Sequence, residues 1–209
     1  MCSQRIVAVV LLAFSVALSE ACSCYYFHPQ EHYCTADFVA LVTVRREGKR
    51  PAGESTWMRS YHVKVHKLFK ANKASVEGLS RGLIWTPPND GLCGITLQRN
   101  KRYLLTGSGG LKPQVQFCNY HEEWSSLSRK QKKGFQRLYR HGCNCTVRVY
   151  HPGRGTQCLW DTAFSHPESH DCQSRHAVCV PSHGKQGCTW LGGQLYRDCM
   201  KKRRRDREP

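Results

Sequence analysis

The feature of this sequence that most constrains its fold is its set of thirteen cysteines. Residues 1–21 have the pattern of a secretory leader, with Arg5 as a positive start and an apolar run from Ile6 to Leu18. Cys2 falls inside this leader, so cleavage after Ala21 leaves twelve cysteines, an even number. A dense and even set in a secreted chain predicts a disulfide framework. Zinc sites need two such spacings, CxxC or CxxH, paired with each other, and the sequence does not offer such a pair.

Cleavage after Ala21 would make Cys22 the first residue of the mature chain. An N-terminal residue carries a free α-amine beside its own carbonyl oxygen. Those two atoms can form a five-membered chelate ring on a metal ion. Cys22 is therefore the first candidate for a functional residue.

Size and charge limit the classes of partner. Removing the leader from 209 residues leaves 188, enough for one large or two small domains. The net charge of +17 predicts association with acidic glycans or anionic surfaces. Nucleic acid is a less favoured partner because the leader directs the chain out of the cell. Outside the leader no apolar run is long enough to span a bilayer, so we expect no membrane span and a product in the extracellular space or matrix.

Five short segments have the pattern of β-strands. Phe38 to Arg46 is apolar at both alternating sets of positions, which predicts a strand covered on both faces. Tyr61 to Phe69 alternates apolar and polar residues, which is typical of a half-buried strand. The other three are Gly82 to Thr86, Tyr103 to Thr106 and Val115 to Cys118. The number and irregular spacing of the strands favour a small barrel or sandwich, a mainly β fold.

Two helices are expected beside these strands. In the segment Ser128 to Tyr139, Ser128 and Gln131 form a capping box, and an apolar stripe follows at Phe135, Leu138 and Tyr139. A second, short helix is predicted to start near His28, with Pro29 at its first position.

The composition divides the chain into four parts. The leader 1–21 is followed by an expected N-terminal domain, 22–144. Residues 145–200 form a small disulfide-rich subdomain, because the stretch Cys143 to Cys199 holds seven cysteines with little apolar periodicity. Residues 201–209 are a basic tail that we expect to be disordered.

Blocks of sequence along the whole mature chain resemble the tissue inhibitors of metalloproteinases. Their order and spacing match the family, and the region from Tyr103 to Cys145 is most similar to the matrix-bound vertebrate member. The blocks are Cys22-Ser23-Cys24, His28-Pro29-Gln30, Cys34-Thr35-Ala36-Asp37, Tyr103-Leu104-Leu105-Thr106-Gly107, Trp124-Ser125-Ser126-Leu127-Ser128, Lys133-Gly134-Phe135, Gly142-Cys143-Asn144-Cys145, Cys158-Leu159-Trp160, Gln173-Ser174-Arg175-His176 and Cys188-Thr189-Trp190.

The resemblance implies a fold and a disulfide pattern. The fold is a five-stranded barrel of the oligonucleotide/oligosaccharide-binding (OB-fold) type, as in netrin-like domains, followed by the C-terminal subdomain. The implied bridges are Cys22–Cys93, Cys24–Cys118, Cys34–Cys143, Cys145–Cys188 and Cys158–Cys179. The chain departs from the family where Val147 to Gln157 lacks the cysteine of a usual short-loop bridge. Cys172 and Cys199 are extra, and we infer that they pair with each other.

The resemblance also implies a function. A secreted inhibitor of zinc metalloendopeptidases, of the matrix type and possibly the disintegrin type, would regulate matrix turnover through one-to-one complexes of a monomer. The α-amine and carbonyl oxygen of Cys22 would chelate the zinc of the protease, and Ser23 would enter its specificity pocket. The expected protease contacts are Ser23, Cys24, Tyr25, Tyr26, Asp90, Gly91, Leu92 and Cys93. We expect no cofactor of the chain's own and no enzymatic activity, since no catalytic constellation is recognisable.

The three consecutive aromatics Tyr25, Tyr26 and Phe27 depart from the proline-containing family pattern. They are equally well interpreted as anchors for a protease or as side chains that pack on the barrel.

Basic residues are candidates for binding sulfated glycans of the matrix, although a solvated helix face and tail explain them too. They are Lys130, Lys132, Lys133, Arg137, Lys201, Lys202, Arg203, Arg204 and Arg205. Asn144 lies in a glycosylation sequon.

A competing interpretation is a non-inhibitory netrin-like module that binds matrix or glycans, but such modules usually lie inside longer chains without a free α-amine. A secreted cationic enzyme would need a catalytic constellation.

Overall fold

The computed structural model describes residues 22–48, 58–150, 156–165, 171–182 and 187–206, so the expected leader lies outside the described residues. The described α-helices are α1 Pro29–Thr35, α2 Lys73–Ser80, α3 Arg129–Lys133, α4 Cys172–His176 and α5 Gln194–Arg205. The strands are β1 Phe38–Glu47, β2 Arg59–Ala71, β3 Leu83–Thr86, β4 Arg102–Gly107, β5 His121–Glu123, β6 Thr146–Arg148, β7 Gln157–Leu159, β8 Ala177–Pro181 and β9 Cys188–Gly192.

A five-stranded antiparallel sheet forms the larger part of the fold, in the order β3-β2-β1-β4-β5. The central strand β1 is buried on both faces, as its apolar pattern predicts. Val42 belongs to one core cluster with Leu105 and Ile84, whereas Val39 belongs to a second cluster with Phe135. The first four predicted strands agree with β1 to β4.

The fifth predicted strand, Val115 to Cys118, is wrong. Val115 donates its backbone N–H to Trp85 O over 2.9 Å, and Phe117 donates to Cys93 O over 2.8 Å. The first bond goes to β3 beside an isolated bridge and the second goes to a loop, so no ladder forms over 115–118, and β5 lies later in the chain. Among the described strands, β3 and β5 at the two edges of the sheet do not pair with each other, so no closed barrel is seen.

Both expected helices are present, with one change. Pro29 begins α1, and His28 is its N-cap. The capping box of Ser128 and Gln131 starts α3 as predicted, but the helix is α-helical only to Lys133. It continues as a π-helix, Gly134–Leu138, and a 3₁₀ turn, Tyr139–Gly142.

The C-terminal part contains two small sheets, β6-β7 and β8-β9, and the helix α5. The expectation that the basic tail is disordered is wrong for residues 201–205, because α5 continues through Arg205. Arg203 explains part of this order: its guanidinium donates to Asp161 O over 2.9 Å and to Ser165 Oγ. Residues 207–209 lie outside the described part of the chain.

Six disulfides join the described residues. They are the five pairs that the family resemblance implies and the inferred pair Cys172–Cys199. Three connect cysteines of the N-terminal part: Cys22–Cys93, Cys24–Cys118 and Cys34–Cys143. Three lie in the C-terminal part: Cys145–Cys188, Cys158–Cys179 and Cys172–Cys199.

Candidate functional site

The first residues after the expected cleavage point are fastened to the N-terminal part by two bridges. Cys22 bonds to Cys93 with a Cα–Cα distance of 5.6 Å, and Cys24 bonds to Cys118 at 5.4 Å. The loops that carry Cys93 and Cys118 are themselves joined by the backbone bond from Phe117. Ser23 lies exposed between the two bridges. The arrangement presents Cys22 to Cys24 as a constrained edge, on which Ser23 and Cys24 are exposed and Cys22 is partly buried.

A second segment continues this edge. Asp90–Leu92 forms one 3₁₀ turn, capped by the Asn89 side chain, which accepts a hydrogen bond from Leu92 N over 3.0 Å. Cys93 follows with a φ of 64°, a left-handed conformation that turns the chain toward Cys22. Asp90 and Gly91 are exposed, and half of the Leu92 side chain is exposed. We call the surface formed by Cys22–Cys24 and Asp90–Cys93 the N-terminal ridge.

The three aromatics after the ridge point to different surroundings. Tyr25 is 58% exposed, and its ring centroid lies 5.0 Å from that of Phe27. Tyr26 instead stacks against the C-terminal part, with 4.9 Å between its ring centroid and that of Trp160. Phe27 meets His32 edge to face at 5.8 Å. Each of the three rings therefore has an intramolecular contact, and Tyr25 is the most exposed of them.

Behind the ridge, α1 joins the two parts of the molecule. The Gln30 side chain is fully buried; its amide donates to Gly142 O and Cys179 O, each over 2.9 Å, and accepts from Cys179 N over 3.0 Å. Glu31 accepts a hydrogen bond from Val147 N over 2.7 Å. The segment that follows the ridge is thus hydrogen-bonded to both parts.

His28 fixes the start of this helix. Its Nδ1 accepts a hydrogen bond from Gln30 N over 3.1 Å, and its ring packs against Trp160 and Trp190. Burial lowers the pKa of His28 to about 3, so the ring is neutral at physiological pH. A neutral ring that caps a helix is a structural group.

The predicted glycan-binding residues form two separate groups. On and after α3, Lys133 and Arg137 are exposed, and Lys132 lies over the Trp124 ring at 5.4 Å. Burial, and secondarily Lys133, lowers the pKa of Lys130. On α5 the exposed residues are Lys201, Lys202, Arg204 and Arg205, whereas Arg203 is partly buried by its hydrogen bonds.

A third basic group is not among the candidates that the sequence pattern identifies. Lys64 of β2 and Arg102 of β4 are the cross-strand partners of Thr43, on either side of β1. Thr43 also bonds to His66 over 2.7 Å between Oγ1 and Nε2. The pKa of His66 is lowered, most by desolvation and to a smaller extent by the positive charges of Arg102, Lys64 and Arg45. Alternating charges on β2 hinted at this group, but only the strand register brings the three strands' cations together.

Other candidate features give weaker support for a functional site. Asn144 is exposed in a turn between Cys143 and Cys145. A cluster of sulfur atoms from Cys145, Cys179 and Cys188 has the spacing of a metal site, but all three sulfurs are in disulfides and are not thiolate ligands. Within the described ranges, no helix has the length and apolar character needed to cross a membrane.

Comparison with known proteins identifies the family of this chain. A family model described as "Tissue inhibitor of metalloproteinase" matches residues 20–190. The chain is 31% identical to the "Tissue inhibitor of metalloproteinase" of Drosophila melanogaster over 205 residues, which covers 92% of each chain. It is 30% identical to "Metalloproteinase inhibitor 4" of Rattus norvegicus, covering 91% of this chain and 89% of the relative. It is 31% identical to "Metalloproteinase inhibitor 3" of Gallus gallus, covering 89% and 90%. The identities do not single out one member, but the chain belongs to the tissue inhibitor of metalloproteinase family.

Proposed function

We propose that this chain, cleaved to begin at Cys22, inhibits zinc metalloendopeptidases of the matrix type and related enzymes. The observation that carries the proposal is the N-terminal ridge, in which two disulfides hold Cys22 and Cys24 beside an exposed turn. Family membership supports the same conclusion. The chain acts as a binding partner that blocks the protease, and it regulates matrix turnover in this way.

The chelating group is the backbone of Cys22. A protease zinc keeps an open coordination position for water, and the α-amine and carbonyl oxygen of Cys22 take that position. The amine must be neutral to bind a metal; a free α-amine has a pKa of about 7.7–8.0, so the metal displaces its proton at little cost near neutral pH. The Cys22 sulfur is in a disulfide and serves to position the residue.

The remainder of the N-terminal ridge fills the substrate cleft. Ser23 carries a small hydroxyl and enters the specificity pocket beside the zinc, and the turn Asp90–Cys93 lies along the cleft. Ordering a free terminus costs roughly 1–2 kcal/mol per residue, and the two bridges remove much of that cost before binding. One ridge per chain accounts for a one-to-one complex of a monomer.

A titration tests the inhibitor function. The secreted protein, with its N-terminus confirmed as Cys22, is added to a matrix metalloproteinase catalytic domain. We expect stoichiometric loss of peptidase activity. If the disulfide-intact protein does not inhibit, the proposal is wrong, and a non-inhibitory glycan-binding module becomes the better interpretation.

A matched control tests the chelation itself. One alanine added before Cys22 moves the α-amine away from the zinc while the ridge and both bridges remain. We expect the extended protein to lose most of its inhibition. Equal inhibition by the extended and the mature protein would mean that Cys22 does not chelate the metal.

We also infer that the chain is secreted and retained by sulfated glycans of the matrix. Six disulfides favour an oxidising compartment. Exposed cations on two separate helices, such as Lys133 and Lys202, support binding of polyanions. Elution from a heparin column should need less salt after Lys201, Lys202, Arg204 and Arg205 are changed to Gln. Unchanged elution would exclude the tail helix as a glycan contact.

We propose further that the five-stranded sheet curves into an OB-type barrel. Its order β3-β2-β1-β4-β5 and the two bridges of Gln114, one to Trp85 of β3 and one to Ser108 just after β4, support this closure. Short interproton distances between β3 and β5 in an NMR spectrum would be expected for the barrel, and their absence would exclude it.

A further inference from the structure

The three consecutive aromatics Tyr25, Tyr26 and Phe27 are divided between two faces of the chain. The segment Cys22 to His28 forms neither helix nor strand. Tyr25 and Phe27 contact each other on one side. Tyr26 and His28 both contact the Trp160 ring, at centroid distances of 4.9 and 5.1 Å. This alternation is typical of an extended backbone, in which successive side chains point in opposite directions.

Tyr26 stacks on two rings of the C-terminal part. Its plane is inclined by 15° to Trp160 and by 26° to Phe164, whose centroid is 5.4 Å away. Trp160 is a fixed support, since it is 2% exposed and its Nε1–H donates to Asp171 Oδ1 over 2.9 Å. Phe164, the second ring stacked on Tyr26, is 59% exposed.

The stack acts on a short segment that is anchored at both ends. The segment is held on its N-terminal side by the Cys24–Cys118 bridge and on its C-terminal side by the buried His28. Tyr26 is the middle of the three residues between these two anchors. Without its stack, the backbone from Tyr25 to Phe27 would keep its end points and lose its internal contact with the C-terminal part.

We propose that Tyr26 is a positioning residue for inhibition, through which Trp160 and Phe164 of the C-terminal part fix the backbone that follows the N-terminal ridge. The proposal rests on the inhibitor function proposed above. It assigns Tyr26 to an intramolecular role and leaves Tyr25, the most exposed of the three aromatics, as the side chain that faces the protease. The C-terminal part then influences affinity without touching the protease.

A double-mutant cycle tests this role in the full chain that begins at Cys22. From the usual interaction energy of stacked aromatic pairs, we expect Tyr26→Ala and Phe164→Ala each to weaken inhibition by about 3- to 10-fold. The loss should arise mainly from faster dissociation. The double variant should be no weaker than Tyr26→Ala alone, because both changes remove one interaction. Tyr26→Phe keeps both stacked rings and should restore inhibition. Leu191→Ala, at an exposed apolar residue of β9, is the matched control and should have no effect.

Two results would overturn the proposal. If Phe164→Ala has no effect while Tyr26→Ala weakens inhibition, Tyr26 acts by touching the protease. If the two effects are additive, the residues act independently.

A readout without protease keeps the stack and the inhibitor function distinguishable. Amide hydrogen exchange at Tyr25 to Phe27, followed by NMR in the free protein, should be faster in Phe164→Ala than in Leu191→Ala. Faster exchange supports the stack even if the chain proves not to inhibit, and unchanged exchange refutes the stack even if the chain does inhibit.

Discussion

At the scale of single residues, the burial of two histidines makes folding stability depend on pH. Burial holds the pKa of His28 at about 3 and that of His32 at about 4, both below the ordinary value of 6.5. Below pH 6.5 the unfolded chain binds protons at these rings and the folded chain does not. The free energy of unfolding is therefore greatest above pH 6.5 and falls toward pH 4, by on the order of 3 kcal/mol from His28.

Urea denaturation at pH 7 and pH 4 measures this loss. His28→Asn keeps a side-chain oxygen that caps α1 but does not titrate. We expect a lower stability at pH 7, because the ring contacts are lost, and a smaller decrease on acidification. The same decrease as in the unchanged protein would show that His28 is not the source.

The Gln30 side chain is the second residue whose environment predicts a large effect. Gln30→Ala leaves the backbone groups of Cys179 and the carbonyl of Gly142 without their buried partner. We expect a loss of about 3 kcal/mol in the free energy of unfolding. Gln116→Ala, at an exposed glutamine, is the control and should change it by less than about 0.5 kcal/mol. Similar losses in both variants would contradict the structure.

At the scale of elements, Ser128 joins two helices. Its hydroxyl accepts from Gln131 N over 3.0 Å, its N–H donates to Gln131 Oε1 over 2.9 Å, and the hydroxyl donates to Arg175 O of α4. Ser128→Ala removes the cap and the link to α4, so we expect a loss of about 1–2 kcal/mol in thermal or urea unfolding. Ser125→Ala, at an exposed serine just before it, should be nearly neutral. A neutral Ser128→Ala would mean that the cap contributes little here.

At the scale of the whole molecule, two disulfides should differ in what they stabilise. Cys34–Cys143 closes a separation of 109 residues and ties α1 to the end of the N-terminal part. Replacing both cysteines by Ser should lower global stability by about 2–5 kcal/mol. Replacing Cys172 and Cys199, which hold α5, should open that helix to proteolysis and leave the N-terminal part folded.

Limited proteolysis and metalloproteinase titration distinguish these outcomes. The variant without Cys172–Cys199 should lose residues of α5 first and still inhibit. Global unfolding of this variant would contradict the peripheral role of the bridge. Disulfide mapping of the unchanged protein provides the prior check, since Cys172 joined to any cysteine other than Cys199 would invalidate the comparison.

The sequence by itself determined the features that depend on local pattern. The double apolar alternation of β1, the capping box at Ser128 and the helix after His28 are each specified by neighbouring residues. The tertiary structure decided where the pattern was ambiguous. The segment Val115 to Cys118 looks like a strand, but its backbone hydrogen bonds go to Trp85 of β3 and to Cys93, which lies outside the sheet.

The same distinction holds at the candidate site. Cys22, Ser23 and the paired cysteines could be identified from their order in the chain, together with the family resemblance. The different surroundings of Tyr25 and Tyr26 could not be identified in this way, because the two tyrosines are adjacent and their neighbours in sequence are alike. Only the position of Trp160, more than a hundred residues later in the chain, gives Tyr26 its stacking partner. Contacts between distant segments are set by how the whole chain packs, and local pattern carries no record of them.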